Sequence, residues 1–335
     1  MQPLISVIIP VYNKEKYIYE LISDLKRQTF TEYECIIVDD GSVDESGKLC
    51  DELSRKDERF IVKHTLNYGV SHARNEGINL SQGKYVTFVD ADDRIPFNYL
   101  EKLYNKITET KVDLLIGSYV KIFQDDRENE KVDYPMKDKI YLFEDILPYF
   151  AELQQNYGVF GWCWGKIMLR ELVGKIRFKE NLKLAEDFDF YLNIYPKVKT
   201  IFFDNTCCYG YRQAADNSSV LVDDSKIDYW AQLKVNEHYR DCLIKLGYYN
   251  GKNKSIVEEK ITNYLFFIIY YKKPDDIQNT VELLSKEIKE ELLLIKSNNI
   301  LKKIVLILVK YNKGKSVQKF FEIYNTMRLI LRRNR

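Results

Sequence analysis

Residues 4–11, LISVIIPV, form an unbroken apolar run rich in β-branched side chains. A strand apolar on both faces must be covered on both, which points to a buried sheet with helices above and below. The chain supplies those helices. Spacing of Ile18, Leu21, Ile22 and Leu25 predicts a helix over Glu15 to Thr29, and a second strand, Tyr33 to Val38, runs into Asp39-Asp40-Gly41-Ser42. Ser42 to Asp44 read as the cap of a helix reaching about Arg55. Phe60 to Lys63, Ser71 to Leu80 and Tyr85 to Val89 predict strand, helix and strand. Strands alternating with helices specify an α/β fold with a mostly parallel sheet.

In such sheets ligands bind at the carboxyl ends of the strands. Tyr12-Asn13 follow the first strand, Asp39 to Ser42 the second, Asn67-Tyr68-Gly69 the third, and Asp90, Asp92 and Asp93 the fourth. Carboxylates this close, partly desolvated, repel one another and require a cation or hydrogen-bond donors. Oxygen-only ligands suit Mg²⁺ or Mn²⁺; the same Asp-Arg-Ile-Pro stretch is also ordinary turn chemistry. The dinucleotide fingerprint GxGxxG and the phosphate loop GxxxxGK[ST] are absent, so a nucleotide here needs another geometry.

With 51 basic and 50 acidic residues the net charge is +1, and bulk charge proposes no nucleic-acid partner. Six cysteines without a CxxC pair fit a reducing cytosol. Pro10 ends the first apolar run and no basic segment precedes it, so neither a signal peptide nor a bilayer-length apolar span is expected. From about Val222 the pattern turns to long helical periodicity. Its end, Leu301 to Arg335, interleaves Leu, Ile and Phe with many Lys and Arg against the single acid Glu322. That composition suits either peripheral contact with an anionic membrane at the inner face of the cell or a solvated bundle end.

SVIIPVYN (Ser6 to Asn13), IIVDDGSVDES (Ile36 to Ser46), NYGVSHARNEG (Asn67 to Gly77) and FVDADD (Phe88 to Asp93) resemble, in order and spacing, the successive signatures of family 2 glycosyltransferases with the GT-A fold. The resemblance covers roughly the first two thirds of the chain. It implies a GT-A catalytic domain over 1–220, with a nucleotide-sugar half over about 1–95 and an acceptor half over 96–220, followed by a helical region over 221–335.

The resemblance further implies roles for individual residues. Pro10, Tyr12 and Asn13 line the base pocket, Asp39 accepts from a uracil N–H, and Asn67 and Arg74 belong to the donor site, Arg74 as a guanidinium aimed at the base or the pyrophosphate. Asp90-Ala91-Asp92 resembles the DxD motif. Asp90 is then the contact to ribose or metal-bound water, Asp92 the ligand of Mn²⁺ or Mg²⁺, and Asp93 a support. Glu186-Asp187 resembles the ED motif, with Asp187 as catalytic base and Glu186 as its neighbour; the same acids would also complement the dipole of an amphipathic helix. Trp162 and Trp164 read either as a platform for an acceptor sugar or as a core strand. Arg212 reads as a phosphate contact, and Asn217 to Ser219 as part of a mobile segment closing over the donor. The implied activity is inverting, metal-dependent transfer from a UDP-sugar to a hydroxyl of a glycan or undecaprenyl-linked glycan in bacterial surface polysaccharide synthesis. A non-catalytic nucleotide-sugar-binding module is the alternative, and a homodimer is left open.

Overall fold

The computed structural model describes residues 2–213, 227–271, 274–287 and 300–333. Asn217 to Ser219 and the last two residues of the basic run lie outside them. The chain divides into two compact units, Met1–Val222 and Asp223–Arg335.

Among its described residues the first unit is built on nine strands: β1 (Ile5–Val11), β2 (Tyr33–Asp39), β3 (Phe60–His64), β4 (Tyr85–Phe88), β5 (Leu114–Ile122), β6 (Glu130–Val132), β7 (Ile140–Leu142), β8 (Lys166–Leu169) and β9 (Thr200–Arg212). Their order is β3-β2-β1-β4-β8-β5-β9-β7, with β6 beside β5. β1 pairs in parallel with β2 and β4, β2 with β3, and β5 with β9. β8 runs antiparallel between β4 and β5 and joins the two parallel halves.

The apolar runs behave as their composition requires. Ile5, Val7, Ile8, Ile9, Ile36, Ile37 and Val38 are buried. Helices α1 (Glu15–Lys26), α2 (Ser46–Ser54), α3 (Val70–Leu80) and α4 (Tyr99–Thr110) connect the first five strands, and Gly77 lets α3 lie against β1, since a Cβ there would collide with Ile8. Further on come α5 (Phe143–Ile146), α6 (Phe150–Tyr157), α7 (Arg170–Val173) and α8 (Glu186–Ile194).

Three boundaries differ from the sequence expectation, each for a tertiary reason. α1 stops at Lys26 because Gln28 turns its amide to the Pro96 carbonyl (2.7 Å) and the Thr29 N–H donates to Phe97 (2.9 Å). α2 starts only at Ser46, because Ser42 to Glu45 bond to the loop after β1 instead. The Asn13 N–H donates to Ser42 Oγ (3.0 Å), the Val43 N–H to Asn13 Oδ1 (2.9 Å) and the Lys14 N–H to Ser46 Oγ (2.7 Å). The Trp162–Trp164 stretch is loop, and strand begins at Lys166.

The second unit is helical, with helices Tyr229–Lys245, Gly251–Tyr270, Pro274–Glu287, Ile300–Lys310 and Gly314–Arg333. Leu233, Val257, Leu265, Ile269, Val281, Val305, Val309 and Phe321 form its interior. Among the described residues no helix is long and apolar enough to cross a membrane.

Candidate active site

The carboxyl ends of β1 to β4 open on one cleft of about 390 Å³. Pro10, Tyr12, Asn67, Arg74, Asp90 and Asp92, all expected at the site, line it. So do Lys14, which the sequence reading missed, and Asp40, which it placed at a strand end without assigning it a role. A larger groove of about 870 Å³ lies at the amino-terminal ends of β4 and β5, but its Arg177 is engaged by Asn79 and by backbone carbonyls and no acid pair converges there.

The two aspartates that end β2 divide their work. Asp39 still belongs to the ladder, paired with Val11, and its carboxylate is buried away from the cleft lining. It accepts from the Ser42 N–H (3.1 Å) and meets His64 Nδ1 (2.8 Å); His64 Nε2 meets Asp51 (3.0 Å). Hydrogen bonds to Asp51 and Asp39 push the His64 pKa up. Asp40, one residue beyond the ladder, turns to the cleft. It accepts from Thr65 Oγ1 (2.8 Å) and from the N–H groups of Tyr68 (3.0 Å) and Gly69 (2.6 Å), the last made available by a φ of 100° that favours glycine. Asn13, at φ 52°, uses its side chain to brace the α2 loop and does not line the cleft.

Arg74 is the hub. It projects from α3, is 4% exposed, and sits 5.5 Å over the Phe178 ring, which stacks on Phe190 of α8 at 3.9 Å. Its guanidinium donates to Asp90 Oδ1 (3.1 Å), Glu186 Oε1 (3.1 Å) and Asp187 Oδ1 (2.5 Å). A fork of fixed donors can serve several carboxylates at once, which a lysine cannot do with the same geometry. The DxD and ED segments are thus joined through one buried cation. Burial pushes the Asp187 pKa up to about 7, with Arg74 partly opposing it. Asp187 Oδ2 accepts from the Cys163 N–H (3.3 Å). α8 is entered through Ala185 at φ 64°, a left-handed backbone that costs an L-residue about 1–2 kcal/mol and sets the direction of the acids that follow.

The remaining acids of the fourth strand end have separate settings. Burial pushes the Asp90 pKa up against the pull of Arg74, and the Asp90 N–H donates to Tyr209 Oη (3.0 Å). Asp92 is partly exposed and accepts from Lys14 Nζ (2.5 Å). Asp93 is buried, accepts from Tyr209 Oη (2.6 Å) and from the Arg212 N–H (2.8 Å), and is raised far above the usual carboxylate range by burial and by its two acidic neighbours. Arg212 does not line the cleft. Its guanidinium donates to the Asp92 carbonyl (2.8 Å) and to Glu20 (2.6 Å), tying β9 to the acidic loop.

Trp164 is buried and Trp162 is 36% exposed, their rings 5.4 Å apart and nearly parallel. Trp164 stacks in turn on Tyr209 (4.8 Å) and Tyr211 (5.0 Å). This aromatic stack ends at the hydroxyl that holds Asp93 and the Asp90 backbone.

Fold and cleft together define a GT-A-type α/β unit, with a cleft at the carboxyl ends of the strands and an acid pair brought in from a later helix. The sequence matches the profile of Glycosyl transferase family 2 over residues 6–177. Glycosyltransferase GlyG of Streptococcus pneumoniae is 30% identical over 275 residues, covering 79% of this chain and 87% of that one. Glycosyltransferase GlyA of the same organism is 34% identical over 218 residues, which are 62% of this chain and only 30% of GlyA. The structure of S. aureus TarS 1-349 in complex with UDP aligns over 96% of this chain and 91% of that one, with a TM-score of 0.62 and 21% identity. The chain belongs to glycosyl transferase family 2.

Proposed function

We propose that this chain is an inverting glycosyltransferase that moves a sugar from a UDP-sugar to a hydroxyl of a glycan or lipid-linked glycan in bacterial surface polysaccharide synthesis. The observation that carries the proposal is the convergence of Asp90, Glu186 and Asp187 on Arg74, with Asp187 raised to about 7. A general base works best when its pKa lies near the operating pH. A carboxylate at the usual value would be a weaker acceptor for a hydroxyl proton.

Roles follow from position. Tyr12 and Asn67 flank the base, and Asp40, in place of Asp39, accepts from the uracil N–H. Asp90 faces the ribose. Trp162 offers an apolar face to the acceptor sugar. Asp187 takes the proton of the attacking hydroxyl, and inversion needs no second nucleophile. Arg212 is assigned to holding the acidic loop and not to the phosphates.

Among the described residues no group of three His, Cys, Asp or Glu side chains is placed to hold a metal ion. Asp92, a partly exposed carboxylate lining the cleft, fits Mn²⁺ or Mg²⁺ that would be held mainly by substrate phosphates, for which one or two carboxylates suffice. When bound, the ion offsets the charge growing on the departing diphosphate. Lys14, paired with Asp92, places a second cation beside the same phosphates.

The test is a thermal-shift panel of UDP, UDP-glucose and UDP-N-acetylglucosamine with and without Mn²⁺. A ligand of the folded state raises the melting temperature through linkage. Stabilisation by UDP compounds that Mn²⁺ enhances is expected; no shift with any of them would overturn the donor assignment.

A further inference from the structure

Lys166 opens β8 with its side chain 1% exposed, and the proposed mechanism does not use it. Its Nζ donates to the carbonyl of Trp162 and lies 4.7 Å over the ring of Tyr191, on α8. Burying an ammonium held by a carbonyl and a ring, instead of by a salt-bridged carboxylate, is unfavourable. Burial accordingly pushes the Lys166 pKa down to about 7. An apolar side chain would fill this position at lower cost, so the amine has to be explained by what it holds.

It holds a peptide that reaches the base. The Trp162–Cys163 segment is fixed from three sides. Lys166 donates to the Trp162 carbonyl, Tyr191 Oη donates to the Cys163 carbonyl (3.2 Å), and the Cys163 N–H donates to Asp187 Oδ2 (3.3 Å). The same segment carries the half-exposed Trp162 indole, stacked on Trp164. One loop therefore positions both the base and the aromatic face.

We propose that Lys166 is a positioning residue for transfer, bracing the Trp162–Cys163 peptide so that its N–H orients Asp187 while its indole faces the acceptor. The consequence for the reaction rests on reading Asp187 as the base. The groups facing Lys166 are Asp187 and Tyr191 of α8 and the buried Cys163 thiol; Asp187 itself faces Arg74 of α3, Asp90 beyond β4 and Glu186. Lys166→Met removes a positive charge near Asp187 and loosens its N–H donor. Both changes disfavour the carboxylate, so the Asp187 titration moves to higher pH.

The experiment uses the full chain and three variants, Lys166→Met, Tyr191→Phe and Asp187→Asn. The readouts are UDP affinity by calorimetry, the Asp187 titration by carboxyl ¹³C NMR, and UDP release from UDP-glucose or UDP-N-acetylglucosamine. In Lys166→Met, UDP affinity should stay within about twofold while release falls on the order of tenfold to a hundredfold, the scale expected for a misplaced reacting group. The acid limb of its pH profile should move up with the Asp187 titration. Tyr191→Phe should shift both in the same direction by less, and it decides the matter if Lys166→Met does not fold. An unchanged Asp187 titration, or loss of UDP affinity in step with turnover, would overturn the positioning role. Undiminished release by Asp187→Asn would instead bring down the base assignment.

Discussion

Replacing Asp187 by Asn tests the catalytic reading and its electrostatics together. The side chain is largely buried and its pKa is raised from 3.8 to about 7, chiefly by desolvation. As pH rises past about 4 the unfolded carboxyl ionises first, so the folded state loses stability progressively until about pH 7 and then levels off. At about 1.4 kcal/mol per pKa unit the ceiling of that loss is about 4 kcal/mol. Asn carries no such penalty, and Arg74 keeps Asp90 and Glu186 as partners. Asp187→Asn should therefore be no less stable than wild type at pH 8, with an advantage that shrinks toward pH 4. Turnover should fall about 10²- to 10⁴-fold, the usual contribution of a general base. Denaturant melts at pH 4, 6 and 8 and UDP-release rates on the same samples give both numbers. A stability difference that does not change with pH would refute the desolvation argument, and undiminished turnover would refute the base.

Three further outcomes follow from the site. Asp40→Asn should weaken UDP binding in calorimetry, while Asp39→Asn should leave UDP affinity near wild type; the reverse order would return the base contact to Asp39. Lys14→Gln should tighten Mn²⁺ binding measured without nucleotide, because the competing ammonium on Asp92 is gone, and weaken UDP binding in the presence of Mn²⁺; both unchanged would make Lys14 a bystander. In the second unit Ile304, Ile307 and Tyr311 are exposed beside Lys303, Lys310 and Lys313. If that face rests on a membrane, the chain should co-sediment with anionic but not with zwitterionic vesicles, and the double change Ile304→Ser, Ile307→Ser should abolish it.

A site assembled from strand ends is unusually open to sequence reading, because each contributing segment carries its own local signature. The apolar run of Leu4 to Val11 and the strand–helix alternation after it point to a sheet covered on both faces and mostly parallel, since strands apolar on both sides need cover on both. The Asp90 to Asp93 cluster and the Glu186-Asp187 pair were likewise visible, as acids where a strand or helix begins or ends. What they do to one another was not. Arg74 meets Asp187 across 113 residues and Arg212 meets Glu20 across 192, distances over which local pattern carries no information. The same holds for β2: Asp39 turns to His64 while Asp40 lines the cleft, and adjacent identical letters cannot reveal that. Lys166 is buried with its ammonium over the ring of Tyr191, a later residue on α8. The sequence by itself determined which chemistry gathers at the carboxyl ends of the strands. Only the tertiary structure decided which carboxylate faces the cleft, which is paired with a cation and which has its pKa pushed up to about 7, because desolvation and partner geometry arise only when distant segments pack.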